Sequence, residues 1–180
     1  MVSRVGGAAV EGTNSAVVRT TEPEPLRIRS AGEMRDFGRI LGEQLRPGDV
    51  ICLRGELGAG KTTLTQGIAA GVGACGTVSS PTFTLIHEHR GKLPLYHVDA
   101  YRLDSSEELW DLGFEEYLRA GGVVVIEWCD RVADALPHER LTLLLEHAGT
   151  SRLVSVQAHG DRADDLAALI RQAWRARRRG

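Results

Sequence analysis

The run Gly55-Glu56-Leu57-Gly58-Ala59-Gly60-Lys61-Thr62-Thr63 constrains this chain more than any other stretch. It meets the phosphate-binding pattern G-x-x-x-x-G-K-[ST] at every required position. A triphosphate is wrapped by backbone N–H groups, and side chains would hold that backbone away. Gly55, Gly58 and Gly60 remove them and permit positive φ. Lys61 offers a point charge to the β- and γ-phosphate oxygens, and the hydroxyl of Thr62 is a ligand of the kind Mg²⁺ takes. The helix expected next would aim its N-terminal N–H groups and its dipole at the same anion.

The flanks fit this reading. Val50, Ile51, Cys52 and Leu53 form a short apolar run, as in a buried strand, after a Pro47-Gly48 turn. Beyond the loop, Leu64 and Ile68 lie four apart beside Ala69 and Ala70, which suits a helix packed on a sheet to about residue 71. A glycine-rich turn matching by accident would lack this strand–loop–helix order. The chain also holds only two lysines, Lys61 and Lys92, among 22 basic residues, so the lysine in the motif stands out in an arginine-rich chain.

Composition narrows the rest. A chain of 180 residues is expected to form one domain with a real core. A net charge of −2 argues against a general polyanion binder. Cys52, Cys75 and Cys129 are odd in number and lack C-x-x-C spacing, which fits a reducing cytoplasm. The longest strongly apolar run, 123–126, is far too short to span a bilayer. Glu11 and Asn14 interrupt any apolar signal segment, so no signal peptide is expected.

Residues 1–25 show no period and end in Glu22-Pro23-Glu24-Pro25, which predicts a disordered extension. The expected P-loop domain spans 26–176, with a basic tail at 177–180. Leu26, Arg27, Ile28 and Arg29 alternate as a first strand. Ser30-Ala31-Gly32-Glu33 is a capping box, and Met34, Phe37, Leu41 and Leu45 predict a helix over 31–45. After the P-loop helix, alternation from Phe83 through His87 and the run Leu95 to Asp99, around the Arg90-Gly91-Lys92 turn, read as an antiparallel hairpin. Ser105 to Glu108 caps a helical segment with Leu109, Leu112, Tyr117 and Leu118 on its apolar face. Val123 to Ile126 reads as a fully buried strand, and 141–145 and 153–158 as two more. A final helix is expected over 161–179, with Leu166, Leu169, Ile170 and Trp174 on one face. The sum is an α/β, P-loop NTPase-like three-layer sandwich with a mixed parallel and antiparallel sheet.

A nucleotide hydrolase needs a carboxylate near metal and attacking water, and strand C-termini beside the P-loop are where such groups sit. Asp99 and Glu127 both end expected strands. The plainer readings are a turn-forming Asp99 and a Glu127 paired to an arginine. Thr82, in the Ser80-Pro81-Thr82 loop, could reach back to a γ-phosphate, or the loop could be an ordinary connection. His87, His89 and His97 read as surface histidines in preference to a metal pair. Arg175, Arg177, Arg178 and Arg179 read as a solvated helix end in preference to an RNA contact. The only Asn is Asn14, which disfavours an Asn-Lys-x-Asp guanine site and leaves ATP as the default nucleotide.

Together these residues resemble the bacterial TsaE (YjeE) P-loop ATPases of tRNA threonylcarbamoyladenosine biosynthesis. The likeness runs from about residue 26 to 158. It rests on the 55–63 loop, Ser80-Pro81-Thr82-Phe83-Thr84-Leu85, Tyr96-His97-Val98-Asp99-Ala100-Tyr101-Arg102-Leu103, Gly113-Phe114-Glu115-Glu116-Tyr117 and Ile126-Glu127-Trp128. The resemblance implies that Lys61 serves the phosphates of ATP or ADP, that Thr62 and Glu127 bind Mg²⁺, and that Asp99 belongs to the catalytic machinery. It further implies nucleotide contacts at Ala31 and Arg152, weak activity alone, and partnership with TsaD and TsaB, with tRNA reached through that complex. ATP turnover there is expected to reset the complex. Two other readings stay open: a phosphotransferase for a small acceptor, drawing on Arg102 and Arg131, and a non-hydrolysing nucleotide sensor.

Overall fold

The computed structural model describes residues 24–81 and 83–179. The arm at 1–23 and Thr82 therefore lie outside the described residues. At the centre is β2 (Val50–Arg54), whose first four residues are all buried. It is hydrogen-bonded in parallel to β5 (Val123–Glu127) on one side and to β6 (Arg140–Ala148) on the other. Beyond β5 come β4 (Leu95–Asp99), also parallel, and β3 (Ile86–His89), antiparallel to β4. Beyond β6 come β7 (Ser151–His159) and the short β1 (Leu26–Ile28), both antiparallel to their neighbours. The order is β1-β7-β6-β2-β5-β4-β3: a parallel core extended at each edge by antiparallel strands.

The pleat sends alternate side chains to opposite faces, and each face has its own cover. Ile51 and Leu53 of β2, with Val123 and Val125 of β5, meet α1 (Ala31–Gly42), α2 (Lys61–Val72) and α5 (Asp161–Arg177). Val50, Cys52, Val124 and Ile126 meet α3 (Ser106–Asp111), α4 (Phe114–Arg119) and the 3₁₀ segment Cys129–Ala135. This is the three-layer arrangement expected from the sequence. On the first face Phe37 of α1 meets Trp174 of α5 edge to face at 5.4 Å, a geometry that aromatic quadrupoles favour.

Glycines set the distance between α1 and α2. Gly38 and Gly42 lie on one face of α1, and Gly67 and Gly71 on the facing side of α2. A methyl group at Gly38 would collide with the Leu64 carbonyl, and one at Gly67 with the Arg35 carbonyl. The two helices touch backbone to backbone because neither carries a Cβ there. Gly67→Ala is accordingly expected to destabilise the fold by about 1–3 kcal/mol, since the rigid backbone opposite must give way. Thermal unfolding of the two proteins side by side checks this. A midpoint shift below about 2 °C would mean that the helices can part at little cost.

Four sequence expectations need adjusting. The first helix ends at Gly42 and not at 45, because Gln44 and Leu45 continue it as i→i+3 turns before Pro47. Apolar spacing persists through that turn, so periodicity overran the helix. The segment expected as one helix after Ser105 is two, α3 and α4, broken at Gly113 with φ 77°, and Leu112 is exposed. The strand expected from Phe83 begins only at Ile86: Leu85 sits at φ 64°, off the strand path, and Phe83 is exposed. The last helix closes at Arg177, whose guanidinium pairs with Asp36 of α1, and Leu169 on its expected apolar face is exposed.

Candidate nucleotide site

The loop between β2 and α2 has the backbone its glycines allow, with positive φ at Gly55, Gly58 and Gly60. Two of them are required by shape. A side chain at Gly55 would run into the Leu145 carbonyl of β6, and Gly60, at φ 105°, starts α2 in a conformation that L-residues rarely adopt. The tip carries Leu57, 80% exposed, while Ala59 is fully buried beneath it.

Lys61 opens α2 and folds back over the loop. Its Nζ donates to the Gly55 carbonyl at 2.6 Å and to the Glu56 carbonyl at 2.9 Å, and lies 3.6 Å from the centre of the Trp128 ring. Burial lowers its pKa below the ordinary lysine value, while the nearby Glu127, Asp99 and Asp130 carboxylates pull it up. Trp128 reaches this position from a left-handed backbone, φ 58°, right after β5, and its ring also packs on Tyr101. Such a residue costs strain that the surroundings must outweigh, which is common near functional sites.

Glu127 ends β5 buried, with two hydroxyls and an imidazole nitrogen converging on it. Thr62 Oγ1 donates to Oε2 at 3.0 Å, and His97 Nε2 lies 2.8 Å from Oε1. Thr65 Oγ1, one turn along α2, is 3.3 Å from Oε1 and also 3.0 Å from the Lys61 carbonyl. Among the described residues no arginine pairs with Glu127, whose partners are Thr62, Thr65 and His97. Asp99 sits beside it in register across the β4–β5 ladder. Its carboxylate accepts from Ser80 Oγ at 2.5 Å and from the Tyr101 N–H at 3.0 Å. Asp99 thus does form a turn, and it also ties the Ser80-Pro81 segment to the strand end. Thr82 follows that segment, outside the described residues.

On the other side of the loop, a cleft of about 210 Å³ lies between it, the start of α1 and the start of β7. Ala31, Thr63 and Arg152 line it, with Ser30, Met34 and Gly60. Arg152 reaches the Gly58 carbonyl at 3.1 Å. The sequence-derived residues Ala31 and Arg152, 121 positions apart in the chain by their numbering, are thereby brought to one wall of the P-loop.

The reading of all three hairpin histidines as surface residues is wrong for two. His97 is fully buried and His89 nearly so, and burial lowers the pKa of His89. β4 is an inner strand, flanked by β3 and β5, and His97 shares Glu127 Oε1 with Thr65 of α2 on the helix-covered face. Thr65 and the ring of Trp128 over Lys61 were also missed, since neither shows as a pattern. Among the described residues no group of three or more His, Cys, Asp or Glu side chains could hold a metal alone. Mg²⁺ does not require one, because it is commonly held by one or two protein oxygens and the substrate phosphates. A hydroxyl and an acid with oxygen donors alone, meeting at the mouth of a phosphate loop, fit that ion.

Strand, glycine loop, lysine-headed helix and strand-end acid define a P-loop protein of the nucleotide-binding class. The family model described as "Threonylcarbamoyl adenosine biosynthesis protein TsaE" matches residues 28–154, and the chain belongs to the TsaE family. The tRNA threonylcarbamoyladenosine biosynthesis protein TsaE of Bacillus subtilis is 41% identical over 150 residues, 82% of this chain and 89% of that one. The protein of the same name from Streptomyces coelicolor is 42% identical over 137 residues, covering 74% and 85%. The crystal structure of Bacillus subtilis YdiB superposes with a TM-score of 0.73 at 36% identity, over 83% of this chain and 94% of that one. None of the helices in the described residues is long and apolar enough to cross a membrane.

Proposed function

We propose that this protein binds ATP with Mg²⁺ and hydrolyses it slowly, as a nucleotide-driven switch in the threonylcarbamoyl modification of adenosine in tRNA. The observation that carries the reading is the Thr62–Glu127 contact beside a buried Lys61, at the mouth of a complete phosphate loop. The loop amides and the Lys61 ammonium hold the phosphates. Thr62 and Glu127 would hold Mg²⁺, which when bound neutralises charge developing on the transferred phosphoryl group. Catalysis of this kind is mostly positioning and electrostatics, so few side chains need to act. Asp99, with Thr82, orients the attacking water or couples the γ-phosphate to a partner surface. Ala31 and Arg152 contact the nucleoside side of ATP or ADP. The domain acts in the cytoplasm on the TsaD–TsaB pair, with tRNA reached through that complex.

The arginines a phosphotransferase lid would draw on are engaged elsewhere. Arg102 lies over the Phe83 ring at 4.6 Å, and Arg131 donates to the Leu103 carbonyl at 2.9 Å. That favours water as the acceptor. The test is phosphate release from ATP by the purified protein, alone and with its TsaD and TsaB counterparts. A low basal rate that the pair raises supports a partner-coupled ATPase. ATP binding without turnover in either condition would leave a nucleotide sensor.

A further inference from the structure

The Glu127 carboxylate is asymmetrically held. Oε2 receives the Thr62 hydroxyl, the group that shares the proposed metal site. Oε1 receives two contacts of unequal quality. Thr65 has one hydroxyl proton and a closer acceptor in the Lys61 carbonyl, so its hold on Oε1 is partial. His97 Nε2, at 2.8 Å and fully buried, is the short, undivided contact. A terminal carboxylate torsion has a broad minimum, so something must choose its orientation. The geometry also calls for a proton on Nε2. With Nε2 bare, its lone pair would face a carboxylate oxygen at hydrogen-bond distance. With Nε2 carrying the proton, it donates. Nδ1 is a buried nitrogen without a hydrogen-bond partner among the described residues. The His89 ring lies 6.4 Å away, centre to centre.

We propose that His97 is a positioning residue for the Mg²⁺–nucleotide complex: its Nε2–H holds Oε1 of Glu127 so that Oε2 is presented beside the Thr62 hydroxyl. The inference rests on the Mg²⁺–ATP reading above and adds a residue to it. An imidazole N–H suits the task, because a single directional donor selects which oxygen of the acid is held. Groups that orient metal-binding carboxylates in this way typically matter 10–100-fold in metal affinity.

The test uses the full chain and ADP, which is not consumed, with binding measured by calorimetry with and without Mg²⁺. The wild type is expected to bind ADP more tightly when Mg²⁺ is present. His97→Leu is expected to keep its Mg²⁺-free affinity within about twofold while the half-saturating Mg²⁺ concentration rises by about tenfold or more. His97→Gln, whose amide N–H can serve Oε1, should recover most of that loss, which a merely space-filling role would not predict. Unchanged Mg²⁺ dependence in a folded His97→Leu protein overturns the inference. A wild type whose ADP affinity ignores Mg²⁺ overturns the metal reading itself, and this inference with it. If His97→Leu does not fold, the ring nitrogens of the unaltered protein decide by ¹⁵N NMR. A proton on Nε2 in the Mg²⁺–ADP complex supports the inference, and a bare Nε2 overturns it.

Discussion

Lys61→Ala is expected to abolish measurable nucleotide binding, a loss of at least about a hundredfold. Charge-assisted hydrogen bonds contribute about 1.5–3 kcal/mol each, and an ammonium set among β- and γ-phosphate oxygens makes more than one. In this structure the same ammonium caps the Gly55 and Glu56 carbonyls and rests on Trp128. Those contacts are exchanged for phosphate on binding, so alanine removes the phosphate partner while leaving strand and helix packing in place. Titration calorimetry with ADP checks the prediction, and a circular dichroism spectrum like that of the wild type guards against unfolding. Residual affinity within tenfold of the wild type would show that the loop amides suffice. The affinity of the wild type should also fall with pH earlier than an ordinary lysine predicts. Only the charged form attracts the anion, and burial moves its loss of charge to lower pH.

Glu127→Gln is expected to cut Mg²⁺-dependent phosphate release by about a hundredfold or more, with Mg²⁺-free ADP affinity nearly unchanged. Glutamine keeps the shape and can still accept from Thr62, so the buried cluster is not emptied. What it loses is the negative charge that a cation needs. Removing one well-placed electrostatic group of this kind costs about 3–4 kcal/mol of barrier. Single-turnover phosphate release at saturating ATP and Mg²⁺ is the measurement. Turnover within threefold of the wild type would remove Glu127 from the metal role. Its side chain would then only satisfy Thr62, Thr65 and His97. Running Asp99→Asn in parallel separates the two adjacent acids. Its loss should appear in turnover and in stimulation by partners, without the Mg²⁺ signature.

Much of this architecture was legible because it rests on short-range rules. The 55–63 motif, the Ser30 capping box and the continuous apolar run of β5 each follow from local chemistry, and each lies where that chemistry says. Errors arose where locality fails. Leu112 kept helical spacing with Leu109, yet Gly113 turned the chain out of the helix and left it exposed. His97 looks polar on a hairpin, but its burial depends on α2 covering that face of the sheet, and the sequence of one strand does not say. The same holds at the site. Loop residues and strand-end acids could be named from spacing, whereas Thr65, His97 and the Trp128 ring became visible only once three elements were brought within 4 Å of Glu127 and Lys61.

The two faces of the sheet are covered unequally, and this sets an order of opening. One face is sealed by α1, α2 and α5, helices of 12, 12 and 17 residues, and by the glycine seam between the first two. The other is covered by helices of six residues each and a 3₁₀ segment of seven. Short helices have little cooperativity of their own and depend on packing that is smaller here. Backbone amides in α2 and β2 should therefore exchange with deuterium only through global unfolding. Those of 106–119 and 129–135 should exchange through cheaper, local openings. The phosphate cradle is then built on the slow-opening half. Trp128 and the turn that follows Asp99 border the fast-opening half, where a bound partner or nucleotide can register as protection long before the fold as a whole responds.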